Sequence, residues 1–410
     1  MDWWRSAPAS ARKALVAASL GWMLDAMDVL LYSFVLDHIR REFALSDRTS
    51  GLLIALPLVS SALGGALFGW LADRIGRTRA LTASIAVYSL ATAACGLAQS
   101  VEQLALFRIV LGLGMGGEWA TGAALVAETW PAEHRGKALG LMQSAWAVGY
   151  AAAAAVNALV LPVWGWRGVF LAGVAPALLT LWIRRSVDES QVWLDRPVRQ
   201  VDGRSVGRVL EAPLMRLALI VAAMNAATMF AWWGLFTWIP AYLARPAAEG
   251  GAGLSLLRSS TWIILMQAGM WLGYASFGFL SDRFGRRRTY VTYLLVAAVL
   301  VPLYGATRDP TTLLVLGPFV AFFGTGYFSG FGAVTAEIFP TAVRATAQGV
   351  TYNAGRGLSA LAPFTVGALA VHYGLGAAFS ITSGAFVLAA VLWIWIPETR
   401  GHSLVSVSRD

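Results

Sequence analysis

Cysteine, histidine and charge are all scarce in this chain, and each scarcity closes off a class of function. The single cysteine, Cys95, lies inside a long apolar run, so neither a disulfide framework nor a thiolate metal site is available. The four histidines, His38, His134, His372 and His402, show no ligand spacing. No Gly-x4-Gly-Lys-Ser/Thr loop exists to cradle phosphates, so ATP is not expected to power the protein. No nucleophile–base or metal constellation is visible, and the chain reads as a non-enzyme without cofactor or metal. Only 13% of the 410 residues are charged against 58% apolar, which removes the ordinary soluble-globular reading.

What is present is one apolar run after another, at roughly residues 14–36, 50–72, 80–99, 103–127, 138–162, 168–183, 215–243, 259–281, 289–306, 311–335, 347–371 and 374–396. A helix needs about 20 apolar residues to cross about 30 Å of hydrocarbon, so twelve spanning helices in two sets of six are expected. The runs are continuously apolar rather than alternating, which argues for helices and against a barrel. The first run is too long for a cleavable signal and carries two carboxylates. The polar, arginine-rich stretch 186–214 is the expected linker between a bundle at 1–185 and a bundle at 215–410.

The net charge of +9 does not point to nucleic acid, since no basic soluble domain with groove-reading elements is present. With a cytoplasmic N-terminus, 22 of the 31 Lys and Arg fall in cytoplasmic segments and seven outside, while Arg108 and Arg356 fall within spans. That asymmetry is the positive-inside pattern, and it places both termini in the cytoplasm. Arginine outnumbers lysine 29 to two, in keeping with a GC-rich bacterial genome, so the expected location is a cell inner membrane.

The chain also contains itself, shifted by 209 residues. Gly69-Trp-Leu-Ala-Asp73-Arg-Ile-Gly76-Arg77-Thr-Arg79 returns as Gly278-Phe-Leu-Ser-Asp282-Arg-Phe-Gly285-Arg286-Arg-Arg288. Ala127-Glu128-Thr-Trp-Pro131 through Arg135 returns as Ala336-Glu337-Ile-Phe-Pro340 through Arg344, and Glu189 returns as Glu398. Two parallel halves with the same polar markers between hydrophobic spans match one large class of membrane transporter.

The loop at 69–79, with its repeat at 278–288, resembles the signature loop of the major facilitator superfamily. Arg108-Ile-Val-Leu-Gly112-Leu-Gly114-Met-Gly116-Gly117-Glu118 is similar to that family's fourth-span motif, and Pro397-Glu398-Thr399-Arg400-Gly401 to the ending of its sugar-porter-like members. Asp25-Ala-Met-Asp28 resembles the Asp-x-x-Asp of aromatic-acid, sialate and lactate proton symporters. The resemblance implies that Arg77 with Glu128, and Arg286 with Glu337, form cytoplasmic ion pairs that latch the outward-open state. Glu189 and Glu398 would extend those latches, beside Arg135 and Arg344. Asp73 and Asp282 stand where an aspartate can bond the N-terminus of a neighbouring helix. Pairs at a water boundary are each worth about 0–1 kcal/mol, which suits a gate that opens every cycle.

Charges that lack a repeat partner mark what the halves do not share. Shifted by 209, Asp25 maps to Gly234, Asp28 to Thr237, Arg108 to Gly317 and Glu118 to Tyr327, while Arg356 maps back to Ala147. Ionisable groups in spans are functional candidates by default. Asp25 and Asp28 share a helical face and cannot both ionise cheaply, so they are expected to carry a proton, with Glu118 and Arg108 as relay or partners. Arg356 presents a fork that matches a carboxylate, flanked by Gly355 and Gly357, with Asn353 and Tyr352 beside it. A salt bridge to a buried acid is the plainer reading of Arg356. Asn225, Gln267, Trp233 and Gln143 are further mid-span candidates for the substrate path, with Tyr150, Trp232 and Tyr327. Most of the 18 tryptophans are expected at the membrane interface or in packing.

The expectation is a monomeric, all-α secondary transporter that takes up a small organic anion with protons, its partners being that anion, protons and the bilayer. A sugar or polyol symporter and a proton-driven drug exporter are the alternatives. A membrane sensor would need a cytoplasmic signalling domain, for which the tails are too short.

Overall fold

The computed structural model describes residues 2–45, 47–195, 212–244, 246–247, 251–254, 256–341 and 343–401. Most of the expected linker, residues 196–211 with Arg196, Arg199, Arg204 and Arg208, lies outside the described residues. Among the described residues every regular element is a helix.

A short helix α1 (Asp2–Ser6) precedes α2 (Ala9–Glu42), α3 (Asp47–Ile75), α4 (Arg77–Cys95), α5 (Val101–Thr129), α6 (Arg135–Ala172), α7 (Ala175–Ser186) and α8 (Gln191–Leu194). The second half comprises α9 (Ala212–Phe236), α10 (Ile239–Ala244), α11 (Leu256–Phe284), α12 (Arg286–Ala306), α13 (Pro310–Thr325), α14 (Phe328–Ile338), α15 (Arg344–Ser359), α16 (Leu361–Tyr373), α17 (Leu375–Ala378) and α18 (Ser380–Leu392). Nine described stretches are long and apolar enough to cross a bilayer by length and composition alone. Taken with α2, α4 and the α15–α16 pair, they make two sets of six passages.

Local chemistry sets the breaks. The fifth and sixth passages run together through α6 and part at Gly165, whose φ of 65° suits glycine. Ser100 caps α5 by accepting from the Gln103 N–H, and Asp309 caps α13 at Thr312 ahead of Pro310 at the first helical position. At the two repeated loops, Gly76 (φ 111°) and Gly285 (φ 101°) turn α3 into α4 and α11 into α12. Glu189 accepts the backbone N–H of Arg77 at 2.8 Å, and Glu398 that of Arg286 at 2.9 Å. The helix starts that those glycines leave uncapped thus receive carboxylates from the matching position of each half.

The halves meet along α3 with α15 and α6 with α11. Glycine lets them touch backbone to backbone. A Cβ on Gly69 would stand 2.6 Å from the Ala345 carbonyl, and one on Gly349 would fall on the carbonyl of Gly65. Gly278 meets Gly136 in the same way on the other side. All these contacts lie toward the end of the bundle that carries Asp73 and Asp282, here termed the latch end.

Candidate functional site

The latch end is closed by charge. Arg77 binds Asp73 at 2.8 Å and Glu128 at 2.9 Å, and Arg286 binds Glu337 at 2.9 Å, as the repeat implies. Both of those sets lie within a single half. The pairs that join the halves are Arg344 to Glu128 at 2.6 Å and Arg135 to Glu337 at 3.1 Å. Arg77 reaches across as well, donating to the Thr341 carbonyl at 2.9 Å. Asp73 caps the N-terminus of α15, accepting from the N–H groups of Ala345 (3.3 Å) and Thr346 (2.9 Å) and from Thr346 Oγ1 (2.6 Å). Asp282 accepts the Lys137 N–H at the start of α6, at 3.0 Å.

The side chains of Arg77, Glu128 and Arg344 are fully buried. They do not sit at a water boundary as expected. Removing one partner from a buried pair costs about 3–5 kcal/mol, because it strands the other charge.

A central pocket begins above the latch. Tyr352, one of its lining residues, stacks on Trp119, centroids 3.8 Å apart and 13° from parallel, which joins α15 of one half to α5 of the other. Trp119 donates through Nε1 to Gln143 Oε1 at 3.2 Å. Trp22, Trp146, Trp232 and Trp233 form much of the wall, and Arg356 lines it from α15. This inner pocket holds about 370 Å³ of empty space. A second pocket of about 890 Å³, further from the latch, shares Trp146, Trp232 and Trp233 with it and extends to Gln267, Ile263 and Thr237. Open solvent is included in both volumes.

Arg356 is 4% exposed, and its guanidinium carbon stands 6.0 Å from the Trp22 ring. It makes no ion pair among the described residues, and its Nη1 is sealed from water with no hydrogen-bond partner. The salt bridge of the plainer reading is not present.

Inside the first half lie three buried acids that make no ion pair among the described residues. Asp25 and Asp28 are each 1% exposed and Glu118 is fully buried. Both carboxyl oxygens of Asp25 and of Glu118 lack partners, while Asp28 accepts from Thr92 Oγ1 at 3.0 Å. Arg356 acts electrostatically on both Asp25 and Glu118, which also act on one another. Trp22, which lines the pocket, stands one turn before Asp25 on α2. Glu118 has room only because its neighbour is Gly21, where any Cβ would collide with the carboxylate.

Other candidates fall elsewhere. Tyr352, Gln143 and Trp233 line the inner pocket, and Trp233 and Gln267 the outer one. Asn353 lines neither; it ties the halves, donating to the carbonyls of Gly116 and Gly349 at 3.0 Å each. Asn225 is fully buried against Gly355, both amide atoms without partners. Arg108 pairs with no acid among the described residues. Its Nε donates to the Leu53 carbonyl at 2.6 Å and its guanidinium covers the Tyr32 ring at 3.9 Å. Tyr327 donates to the Thr228 carbonyl at 3.1 Å and is packing.

Trp22 and Trp146 are pocket residues that reading most tryptophans as interface anchors or packing missed, and Phe328 was not singled out. A signal was available, because Trp22 precedes Asp25, and Trp146 follows Gln143, by one helical turn.

A family model described as Major Facilitator Superfamily matches residues 18–276 and 251–408. The chain is 33% identical over 414 residues to the "Probable 4-methylmuconolactone transporter" of Cupriavidus pinatubonensis, covering 99% of this chain and 95% of that one. It is 30% identical over 424 residues to the niacin transporter of Acinetobacter baylyi, covering 96% and 95%. Among solved structures, a proton:xylose symporter, XylE, superposes with a TM-score of 0.80 at 21% identity, over 97% of this chain and 99% of that one.

Proposed function

Because the chain belongs to the major facilitator superfamily and is a multi-pass membrane transporter, we propose that it moves a small organic carboxylate inward together with protons. The observation that carries this reading is Arg356, a buried guanidinium lining the central pocket with no acid of its own among the described residues. A buried, permanently charged fork is costly unless an anion completes it. A carboxylate completes it in two parallel hydrogen bonds. The aromatic walls suit a flat conjugated acid, and the names of the muconolactone and niacin transporters point the same way.

Asp25, Asp28 and Glu118 are the proton carriers of this reading. All three are buried, and Asp25 and Glu118 feel the charge of Arg356. Cargo on Arg356 and a proton on each of the three acids together leave the site without net charge, which lowers the barrier to rocking. The latches then part, the protons leave and the acid follows. In this scheme 1–185 and 215–410 rock about the pocket as a monomer in a bacterial inner membrane, with both termini and the latch end in the cytoplasm. The present shape, closed at the latch, is then the outward-facing one.

The test is uptake into proteoliposomes under an imposed inward proton gradient, with benzoate, pyridine-3-carboxylate, lactate and xylose as cargo. An acid should accumulate while xylose does not, and Arg356→Gln should lose acid binding by about 100-fold or more. Xylose uptake that survives Arg356→Gln would overturn the reading in favour of a sugar symporter.

A further inference from the structure

The sealed polar atoms that the lining of the inner pocket leaves without a partner are all donors. Three polar atoms of its lining residues are sealed from water with no hydrogen-bond partner: Trp22 Nε1, Trp232 Nε1 and Arg356 Nη1. All three donate. Orphan acceptors belong to residues outside the lining, among them Asp25, Asp28, Glu118, Asn225 and Asn353. A stranded buried donor costs about 1–3 kcal/mol, so three gathered around one void need a ligand rich in acceptors.

Their placement divides them into two ends. The Arg356 guanidinium stands 6.0 Å from the Trp22 ring, so these two donors share one end. Trp232 lines the outer pocket as well as the inner, whereas Trp22 and Arg356 line only the inner one, which puts Trp232 at the neck between them. Its ring is wedged by Trp233 (centroids 4.9 Å), Phe236 (5.4 Å) and Phe328 (6.2 Å), so the indole is held rather than free to turn toward water. An indole has one N–H and no acceptor, so it selects for polarity without tolerating a reversed one.

Resting on the carboxylate reading above and refining it, we propose that Trp232 Nε1 donates to a second acceptor on the cargo, at the end opposite the carboxylate held by Arg356 and Trp22. The cargo class is a conjugated acid with a ring nitrogen, carbonyl or second carboxylate across the ring. An amine at that end finds no orphan acceptor in the pocket lining and is rejected.

The experiment is isothermal titration of the purified full-length protein with benzoate, pyridine-3-carboxylate and pyridine-4-carboxylate at neutral pH, for wild type, Trp232→Phe and Arg356→Gln. Trp232→Phe keeps the ring and removes the donor. One pyridine acid should bind the wild type about fivefold or more tighter than benzoate, and Trp232→Phe should bring that ratio to about one while leaving benzoate within about twofold. No preference in the wild type overturns the inference, and so does an equal loss for all three acids in Trp232→Phe, which would make Trp232 a packing residue. Binding that is unchanged in Arg356→Gln, or no acid binding in the wild type, brings down the carboxylate reading and the second acceptor with it.

Discussion

Thr346 Oγ1 donates to Asp73 Oδ2 at 2.6 Å across the seam between the halves, and among the described residues no side-chain hydroxyl does the same for Asp282. The position 209 residues earlier is Lys137, which offers Asp282 only its backbone N–H. The two latches are therefore unequal although the motifs that build them repeat. Thr346→Val keeps the shape and deletes the bond. A hydrogen bond to a charged group is worth about 1.5–3 kcal/mol, so the equilibrium should shift roughly 10- to 100-fold toward the latch-open form. The readout is the labelling rate of Ala124→Cys in a Cys95→Ser background, since Ala124 is buried in a small cluster with Ala345. Unchanged labelling would mean that the hydroxyl contributes nothing to closure.

Gly349 and Gly65 give a steric version of the same test. A Cβ on Gly349 would fall on the carbonyl of Gly65 in the opposite half, so Gly349→Ala cannot close the seam. Within its own helix the change is favourable by about 1 kcal/mol. The variant should keep or raise its thermal midpoint in detergent while Ala124→Cys becomes permanently accessible and uptake stops. A lowered midpoint with normal labelling would show that the contact serves folding rather than gating.

How far the sequence could be read follows from which features repeat. Asp73, Arg77 and Glu128 recur at one offset in a motif that resembles a known family's, and that resemblance implied the pairing of Arg77 with Glu128 that the structure has. The partners across the seam were not legible, because Arg344 and Arg135 sit at the end of a motif that carries no sign of which half it will face. The lone charges were found by their lack of a repeat partner, and that test picked out Arg356 correctly as a spanning-helix cation without saying whether it lined a void. It placed Arg108 beside the acids, whereas that side chain rests on Tyr32 and the Leu53 carbonyl. Asn353 looked like a ligand because it is polar and one turn from Arg356; its Nδ2 donates to two carbonyls while its Oδ1 has no partner. Tryptophans are read poorly from composition, since the same ring serves a headgroup layer or a pocket wall and only helix packing decides.

Glu398 makes a pH prediction outside the spans. Burial pushes its carboxyl up, but the backbone N–H groups of Arg286, Arg400, Arg287 and Thr399 outweigh that, so its pKa lies below the usual glutamate value. A carboxylate held lower in the folded state adds stability above its unfolded pKa of about 4.3 and loses it as pH falls through the folded value. Its side chain is exposed, so the contribution is screened to about 1 kcal/mol or less. Glu398→Gln should lower the thermal midpoint at pH 7 and flatten its decline below about pH 4.3. Parallel melting curves for the two proteins across that range would remove the carboxylate as a cap on α12.

Asp25 and Asp28 are one turn apart on α2, yet their surroundings separate their roles. Asp28 is tied to Thr92, whereas Asp25 has no hydrogen-bond partner and faces the Arg356 charge. Asp28→Asn can keep the Thr92 bond while losing the ability to exchange a proton. Gradient-driven uptake should therefore vanish in that variant, while counterflow, which needs no net proton movement, continues at a comparable rate. Asp25→Asn removes a negative charge that competes with the cargo for Arg356, so it should tighten acid binding by several-fold as well as uncouple it. Measuring affinity by calorimetry from pH 5.5 to pH 8 checks both. The wild type should bind the acid more weakly as pH rises and the carriers lose their proton, and Asp25→Asn should bind with nearly constant affinity. A slope that persists in Asp25→Asn and disappears in Asp28→Asn would assign the competing charge to Asp28, and a slope that persists in both would move the proton site off α2.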